Sequence, residues 1–215
     1  MKKLVLYSDQ VPDKSQKVDE ALLQMINKTN PKVAYIPSRG DLTRKYYNQK
    51  KAYYHNLGID NLIYFDIDVE YDPSKVTELL QCDAIHLSGG DTVYFLNTLL
   101  KRDFQDVLRA YAQNGGILIG ISAGSILMSN CIDIVPVLHD GMIEVANTKA
   151  LCLNDFEFVP HWERNHIYYH DIKQYSKLNK RTIYLCSDSD GIVVNNDEVR
   201  LIGNVIKITN GVVAE

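Results

Sequence analysis

Short apolar runs alternate with amphipathic stretches through the first half of the chain. The runs are rich in β-branched residues and are typical of buried strands; they lie at 3–7, 32–36, 61–65, 84–87 and 116–119. Between them, helices are predicted at 15–28 (with Ser15 as N-cap), 41–57, 74–80, 92–101 and 104–113. Because strands alternate with helices, we expect an α/β fold with three layers and a mostly parallel, doubly wound sheet.

The pattern changes near residue 182. Four short apolar runs follow, separated by Asn, Asp and Gly, at 182–185, 191–194, 199–202 and 205–208. Asn195-Asn196-Asp197 is typical of a hairpin turn. We therefore expect short C-terminal β-hairpins. Since no stretch resembles a linker, residues 1–215 are predicted to form a single domain.

One junction between a strand and a helix carries a catalytic pattern, Gly120-Ile121-Ser122-Ala123-Gly124. Strand, Gly-x-Ser-x-Gly, helix is the nucleophile-elbow arrangement, which presents a serine at a sharp, strained turn. Small residues on both sides of the serine let neighbouring backbone come close. The pattern predicts Ser122 as a nucleophile and the Ala123 N–H as a donor to a developing oxyanion.

A second glycine-rich turn, Ser88-Gly89-Gly90-Asp91-Thr92, follows the predicted strand at 84–87. Its backbone N–H groups can surround an anion, either an oxyanion or a phosphate. No Gly-x-Gly-x-x-Gly motif or Walker lysine accompanies it, which favours the oxyanion. In open parallel sheets ligands bind at the carboxyl ends of the strands, so both glycine turns are expected at one edge.

A serine nucleophile needs a base and a carboxylate that orients the base. His161 follows an apolar run that ends at Pro160 and is the first candidate base; His139 is the second. His166 and His170 have the spacing of a zinc pair, but the metalloprotease glutamate is absent, so no metal is expected. His86 is expected in the core and His55 in solvent. The carboxylates between the serine and His161 remain open candidates: Asp133, Asp140, Glu144, Asp155 and Glu157.

Composition excludes several classes of function. A net charge of -4 gives no excess of positive charge for binding nucleic acid or an anionic membrane. The N-terminal apolar run is too short for a signal peptide and no stretch is long enough to span a membrane, so a cytoplasmic location is expected. The four cysteines form no Cys-x-x-Cys pair, so no zinc or redox site and no cofactor is expected.

Three motifs in this order resemble the serine peptidase family of dipeptidase E (α-aspartyl dipeptidase) and cyanophycinase: Gly89-Gly90-Asp91-Thr92, the elbow, and Pro160-His161. The resemblance spans residues 3–210 and implies a fold like that of class I glutamine amidotransferases, with serine in place of their elbow cysteine. It implies Ser122 as nucleophile, His161 as general base, and Gly90 and Ala123 as oxyanion donors. It places the acid between the elbow and the histidine, where Asp140 fits best.

The resemblance also bears on the substrate. An aspartyl dipeptidase needs a cation for the substrate carboxylate, ideally a bidentate arginine. Arg164 is the candidate substrate-binding residue, with Arg39 as the other possibility. The expected function is a serine peptidase acting on short peptides, with aspartyl dipeptides as one candidate. An esterase or isopeptidase on the same triad and a non-catalytic small-molecule binder are the alternatives, and the oligomeric state is open.

Overall fold

The computed structural model describes residues 2–139 and 147–214. Strands and helices alternate through most of this part of the chain. The strands are β1 (Lys3–Tyr7), β2 (Lys32–Ile36), β3 (Asn61–Tyr64), β4 (Ala84–Leu87), β5 (Ile117–Ile121), β6 (Phe156–Val159), β7 (Thr182–Leu185), β8 (Gly191–Asn195), β9 (Glu198–Ile202), β10 (Ile206–Thr209) and β11 (Val212–Val213). The helices are α1 (Gln16–Ile26), α2 (Lys45–Asn56), α3 (Val76–Leu80), α4 (Thr92–Lys101), α5 (Phe104–Gln113), α6 (Ala123–Ile126), α7 (Ile134–Val137), α8 (Trp162–Asn165) and α9 (Tyr169–Asn179).

Within these ranges, seven strands form the central sheet in the order β3-β2-β4-β5-β1-β8-β9. The strands β3, β2, β4, β5 and β1 pair in parallel, whereas β8 and β9 add antiparallel strands at one edge. The structure therefore confirms the predicted α/β class and the mostly parallel sheet. No helix in the described ranges has the length and apolar character needed to cross a membrane.

Both faces of the central sheet are buried. Alternate side chains of β1 enter different clusters: Leu4 and Leu6 pack on one face, and Val5 and Tyr7 on the other. The Val5 face is covered by α1 and α2, while helices α4 and α5 and a second sheet cover the Leu4 face. This burial on both faces explains why the strands appear in the sequence as continuous apolar runs rather than alternating ones.

The C-terminal strands divide between the two sheets. The predicted hairpin turn joins β8 to β9, with Asn196 in the left-handed region at φ 56°. The strands β10 and β11 form a second hairpin, which pairs with β7 in a smaller sheet of order β11-β10-β7-β6. In this sheet β6 and β7 run parallel, so their carboxyl ends lie side by side. The two strands thereby deliver the loops after Val159 and Leu185 to one place.

One predicted helix start and one predicted capping bond differ from the structure. Helix α2 begins at Lys45 rather than at Asp41, because the Asp41 carboxylate accepts the N–H groups of Lys45, Tyr46 and Tyr47 at 2.9–3.1 Å. Ser15 stands at the N-cap position of α1 but makes no capping bond. Its hydroxyl instead accepts the N–H of residue 11 and donates to the carbonyl of residue 9, which ties down the loop after β1.

Candidate active site

Ser122 stands at the junction between β5 and α6 in a strained conformation, with φ 50° and ψ −105°. L-residues rarely adopt a positive φ, and such outliers persist only where their surroundings enforce them. Here the Ser122 N–H donates to the Tyr7 carbonyl at 3.0 Å, and the Ser125 hydroxyl donates to the same carbonyl at 2.8 Å. The elbow is therefore fixed to β1 on both sides of the serine.

The two motif glycines are required by close backbone packing. A Cβ on Gly120 would lie 2.6 Å from the Ser125 nitrogen, and a Cβ on Gly124 would collide with the carbonyl of Leu87 at the end of β4. Neither contact can relax by moving a flexible side chain, because the opposing atoms belong to backbone. The predicted reason for the Gly-x-Ser-x-Gly spacing is confirmed.

His161 lies next to the serine. Its Nε2 is 2.7 Å from Ser122 Oγ, within hydrogen-bond distance. The residue follows β6 and has φ 126°, so it too is held in an unfavourable backbone conformation. The side chain of Asn165 donates to the Pro160 carbonyl at 2.7 Å and braces this turn.

The carboxylate that contacts His161 is Asp188. Its Oδ1 lies 2.7 Å from His161 Nδ1, so Ser122, His161 and Asp188 form one hydrogen-bonded chain. Partial burial alone would raise the pKa of Asp188, but hydrogen bonds from His161 and Arg164 outweigh this effect and hold the pKa below its ordinary value. Sequence reasoning missed Asp188 because it considered only carboxylates that precede His161.

The sequence offered one general indication for Asp188, its position after a predicted strand, but nothing that links it to His161. It lies three residues after the predicted strand at 182–185, at a carboxyl end where ligands and catalytic groups collect. The preferred sequence candidate, Asp140, lies outside the described residues, as does Glu144. Asp133 stands at the start of α7, and Asp155 is exposed just before β6.

The other histidines are not brought to Ser122. His86 is fully buried and its Nδ1 lies 2.8 Å from the Tyr54 hydroxyl, so the expected core position is confirmed. Burial lowers the pKa of His86 well below its ordinary value. The remaining four are exposed: His55, His139, His166 and His170.

The Gly89–Gly90 turn lies against the elbow, as both glycine motifs predict. A Cβ on Gly89 would be 3.6 Å from the Ser122 Cβ. Gly90 has φ 137° and packs against Ser38, whose hydroxyl donates to the Gly89 carbonyl at 2.8 Å. The turn is thus held in a conformation that glycine tolerates, directly beside the nucleophile.

A sequence model of peptidase family S51 matches residues 4–202. The chain belongs to this family. It is therefore a peptidase, a hydrolase, and its serine type is consistent with the serine at the elbow.

Relatives support this placement. The peptidase is 27% identical over 139 residues to "Uncharacterized peptidase Lmo0363" of Listeria monocytogenes serovar 1/2a strain EGD-e, covering 62% of this chain and 67% of the relative. It is 26% identical over 188 residues to "Uncharacterized peptidase Lin0382" of Listeria innocua serovar 6a, covering 83% of this chain and 85% of the relative.

Two solved structures share the fold. A 1.5 Å structure titled "Putative Peptidase E Protein" from Listeria monocytogenes EGD-e matches with a TM-score of 0.73 and 24% identity, covering 94% of this chain and 98% of that one. A peptidase from an acI-B1 actinobacterium matches with a TM-score of 0.74 and 18% identity, covering 99% of this chain and 92% of that one. At these identities the likeness shows the fold.

A cavity of about 460 Å³ opens beside the Gly89–Gly90 turn of the peptidase. Charged side chains of both signs line it: Asp9, Arg39, Lys50 and Asp91. Burial lowers the pKa of Lys50, and within the described residues its ammonium group makes no ion pair within 4.0 Å. Asp9, His161 and Asp188 each bring one polar atom within 4.8 Å of one another, so the cavity adjoins the hydrogen-bonded chain of Ser122, His161 and Asp188.

Arg164 lies on the other side of Asp188. Its Nη2 donates to Asp188 Oδ2 at 2.6 Å, and the residue is not part of the cavity lining. Arg39, the second sequence candidate for substrate binding, does line the cavity, with its guanidinium 4.2 Å from the centre of the Tyr94 ring.

Glu157 points into a separate buried cluster. It is 3% exposed, and the Tyr175 hydroxyl donates to its carboxylate at 2.9 Å. Arg181 Nε lies 3.4 Å from Glu157 Oε1. Burial raises the pKa of Glu157 from 4.5 to about 7, although the hydrogen bond from Tyr175 opposes the rise.

This pKa has a consequence for stability. Between pH 4.5 and 7 the folded chain retains a proton on Glu157 that the unfolded chain releases, so ionisation of Glu157 lowers stability as pH rises through this window. We expect Glu157→Gln to become more stable relative to wild type as pH rises from 5 to 8. Urea unfolding at both pH values measures this.

Asp155→Asn, at the exposed neighbouring carboxylate, is the control and should show the same difference from wild type at both pH values. A pH-independent difference for Glu157→Gln would contradict the raised pKa.

Proposed function

We propose that this peptidase hydrolyses short peptides through a Ser122–His161–Asp188 triad. The continuous hydrogen-bonded chain from the serine to the carboxylate, with 2.7 Å at each step, carries the proposal. A non-catalytic relative would not need to hold a histidine between a strained serine and a carboxylate. The two short separations therefore support catalysis over simple binding.

The proposed steps follow from the atoms that face each other. His161 Nδ1–H donates to Asp188, which leaves Nε2 unprotonated and able to accept the Ser122 proton. Ser122 Oγ attacks the peptide carbonyl, and the imidazolium then protonates the leaving amine. Water, deprotonated by the same imidazole, hydrolyses the acyl-enzyme and regenerates the serine.

The N–H groups of Gly90 and Ala123 are the proposed donors to the oxyanion. Ala123 directly follows the nucleophile, the usual place for one donor in an elbow hydrolase. The Gly89–Gly90 turn supports the second donor because it lies against Ser122 at the carboxyl end of β4, the parallel neighbour of β5. A fixed backbone donor stabilises charge in the transition state without reorganisation.

The cavity supports a peptide whose first residue is acidic and carries a free amino group. Lys50 is partly desolvated and lacks an ion-pair partner among the described residues, so a carboxylate from the substrate would find a strong partner there. Asp9 makes no ion pair within 4.0 Å in the same ranges, lines the cavity and brings a carboxylate oxygen within 4.8 Å of His161, where it can receive an ammonium group. Aspartyl and glutamyl dipeptides fit this arrangement of charges.

We expect Ser122→Ala to lower kcat/KM for short peptides by about 10³-fold or more, since the nucleophile is lost. A labelled fluorophosphonate should modify Ser122 in the wild-type protein, and mass spectrometry of the tryptic digest locates the label. The exposed Ser74→Ala is the control and should retain labelling and turnover. Unchanged hydrolysis by Ser122→Ala would refute the proposed function.

We expect Asp188→Asn to lower kcat by about 10³–10⁴-fold, because an amide favours the wrong tautomer of His161. Asp140→Asn serves as the comparison, since the family resemblance favoured that residue as the acid. The proposed triad requires Asp140→Asn to retain most of its kcat. The reverse order of effects, measured on the same dipeptide, would assign the acid to Asp140.

We expect Lys50→Met to raise KM about 10-fold or more for dipeptides with N-terminal Asp or Glu, because a charge-assisted hydrogen bond is lost. KM for alanyl dipeptides should change little. Lys51→Met, an exposed lysine on the same helix, is the matched control. Equal changes in KM for acidic and neutral dipeptides would contradict the role of Lys50.

A further inference from the structure

We propose that Arg164 is a positioning residue. Together with Glu163 it holds Asp188 where the carboxylate can accept a hydrogen bond from His161, and it does not bind substrate. This inference rests on the proposed triad. It concerns the group that holds the acid in place.

Three contacts hold Asp188, and all come from one short segment. His161 Nδ1 lies 2.7 Å from Asp188 Oδ1, and Arg164 Nη2 donates to Asp188 Oδ2 at 2.6 Å. The Asp188 backbone N–H donates to the Glu163 carboxylate at 3.1 Å. Both oxygens and the backbone of the acid are thus fixed by residues 161–164, which also carry the base.

The same segment is anchored to the loop that bears the acid. The Trp162 N–H donates to the Cys186 carbonyl at 3.1 Å, so α8 begins on the strand end that leads into Asp188. Asp190, which is 3% exposed, accepts the N–H of Ser187 at 2.9 Å and closes the loop from the other side. With the loop anchored at Cys186 and Ser187, the orientation of Asp188 is left to its contacts with Glu163 and Arg164.

Charge gives Arg164 a second effect. Two carboxylates, Asp188 and Asp9, lie near His161, and Glu163 adds a third negative group behind Asp188. Arg164 is the cation that contacts this group, and its hydrogen bond to Asp188 raises the pKa of the guanidinium, so it stays charged. Without it, the surrounding negative charge would stabilise the imidazolium form, and a larger share of the base would be protonated at a given pH.

The position of Arg164 does not suit substrate recognition. Its guanidinium is committed to Asp188, and the cavity beside the Gly89–Gly90 turn is lined by other residues. Arg164 Nη2 holds Asp188 although the side chain is 62% exposed, so a substrate carboxylate that took this donor would release the triad acid. The two roles therefore predict different kinetic signatures for the same substitution.

Arg164→Met keeps an unbranched, flexible side chain and removes the charge and the donors. With a neutral dipeptide we expect kcat to fall about 10-fold, as for other groups that orient a catalytic ligand, with KM unchanged. The acidic limb of the kcat/KM profile should move to higher pH, because the imidazolium becomes more stable. Arg164→Lys, which restores the charge, should return the limb towards its wild-type position.

Arg109→Met is the control, because Arg109 is also paired with a neighbouring carboxylate, Asp106, but on helix α5. It should leave kcat and the pH profile unchanged. A rise in KM confined to acidic dipeptides, with kcat and the acidic limb unmoved, would overturn the inference and assign Arg164 to substrate binding. Wild-type kinetics for Arg164→Met would also overturn it. Either result leaves the proposed function intact if Ser122→Ala is inactive.

Discussion

The close approach of backbone around Ser122 is the constraint on which the site depends. The serine adopts a positive φ that costs on the order of 1–3 kcal/mol and must be enforced by its surroundings. The Tyr7 carbonyl accepts both the Ser122 N–H and the Ser125 hydroxyl, while Gly124 packs on the carbonyl of Leu87. Three adjacent strands, β4, β5 and β1, therefore meet at this point, and glycine is the residue that permits their contact.

The proposed base and acid, His161 and Asp188, reach the serine from a different sheet. Because β6 and β7 pair in parallel, with Val159 opposite Leu185, the loops that follow them leave the smaller sheet together. His161 comes two residues after Val159 and Asp188 three residues after Leu185. The proposed triad thus lies where the carboxyl ends of strands from two sheets meet, and His161, at φ 126°, is a second backbone outlier there.

This division explains what the sequence could and could not predict. The strands, the elbow and the Gly89–Gly90 turn depend on local patterns, and each is found where the pattern placed it. Asp188 depends on the pairing of β6 with β7, which is a contact between distant segments that apolar runs do not encode. The expected chain order of serine, acid and histidine also placed the acid before His161, whereas Asp188 follows it. The start of α2 was missed for a different, local reason, since the Asp41 carboxylate accepts N–H groups of a helix that begins four residues later.

Charged groups near His161 belong both to the contact between Arg164 and Asp188 and to the cavity beside the Gly89–Gly90 turn. Arg164 contacts Asp188, but Asp9, which also brings a carboxylate oxygen within 4.8 Å of His161, makes no ion pair within 4.0 Å among the described residues. Under the proposed function, the ammonium group of a substrate fills this place. Binding would then neutralise the second carboxylate near the base and favour the unprotonated imidazole that accepts the serine proton. A peptide with a blocked amino terminus would lack this effect, so the cost of blocking would appear in kcat at low pH as well as in binding.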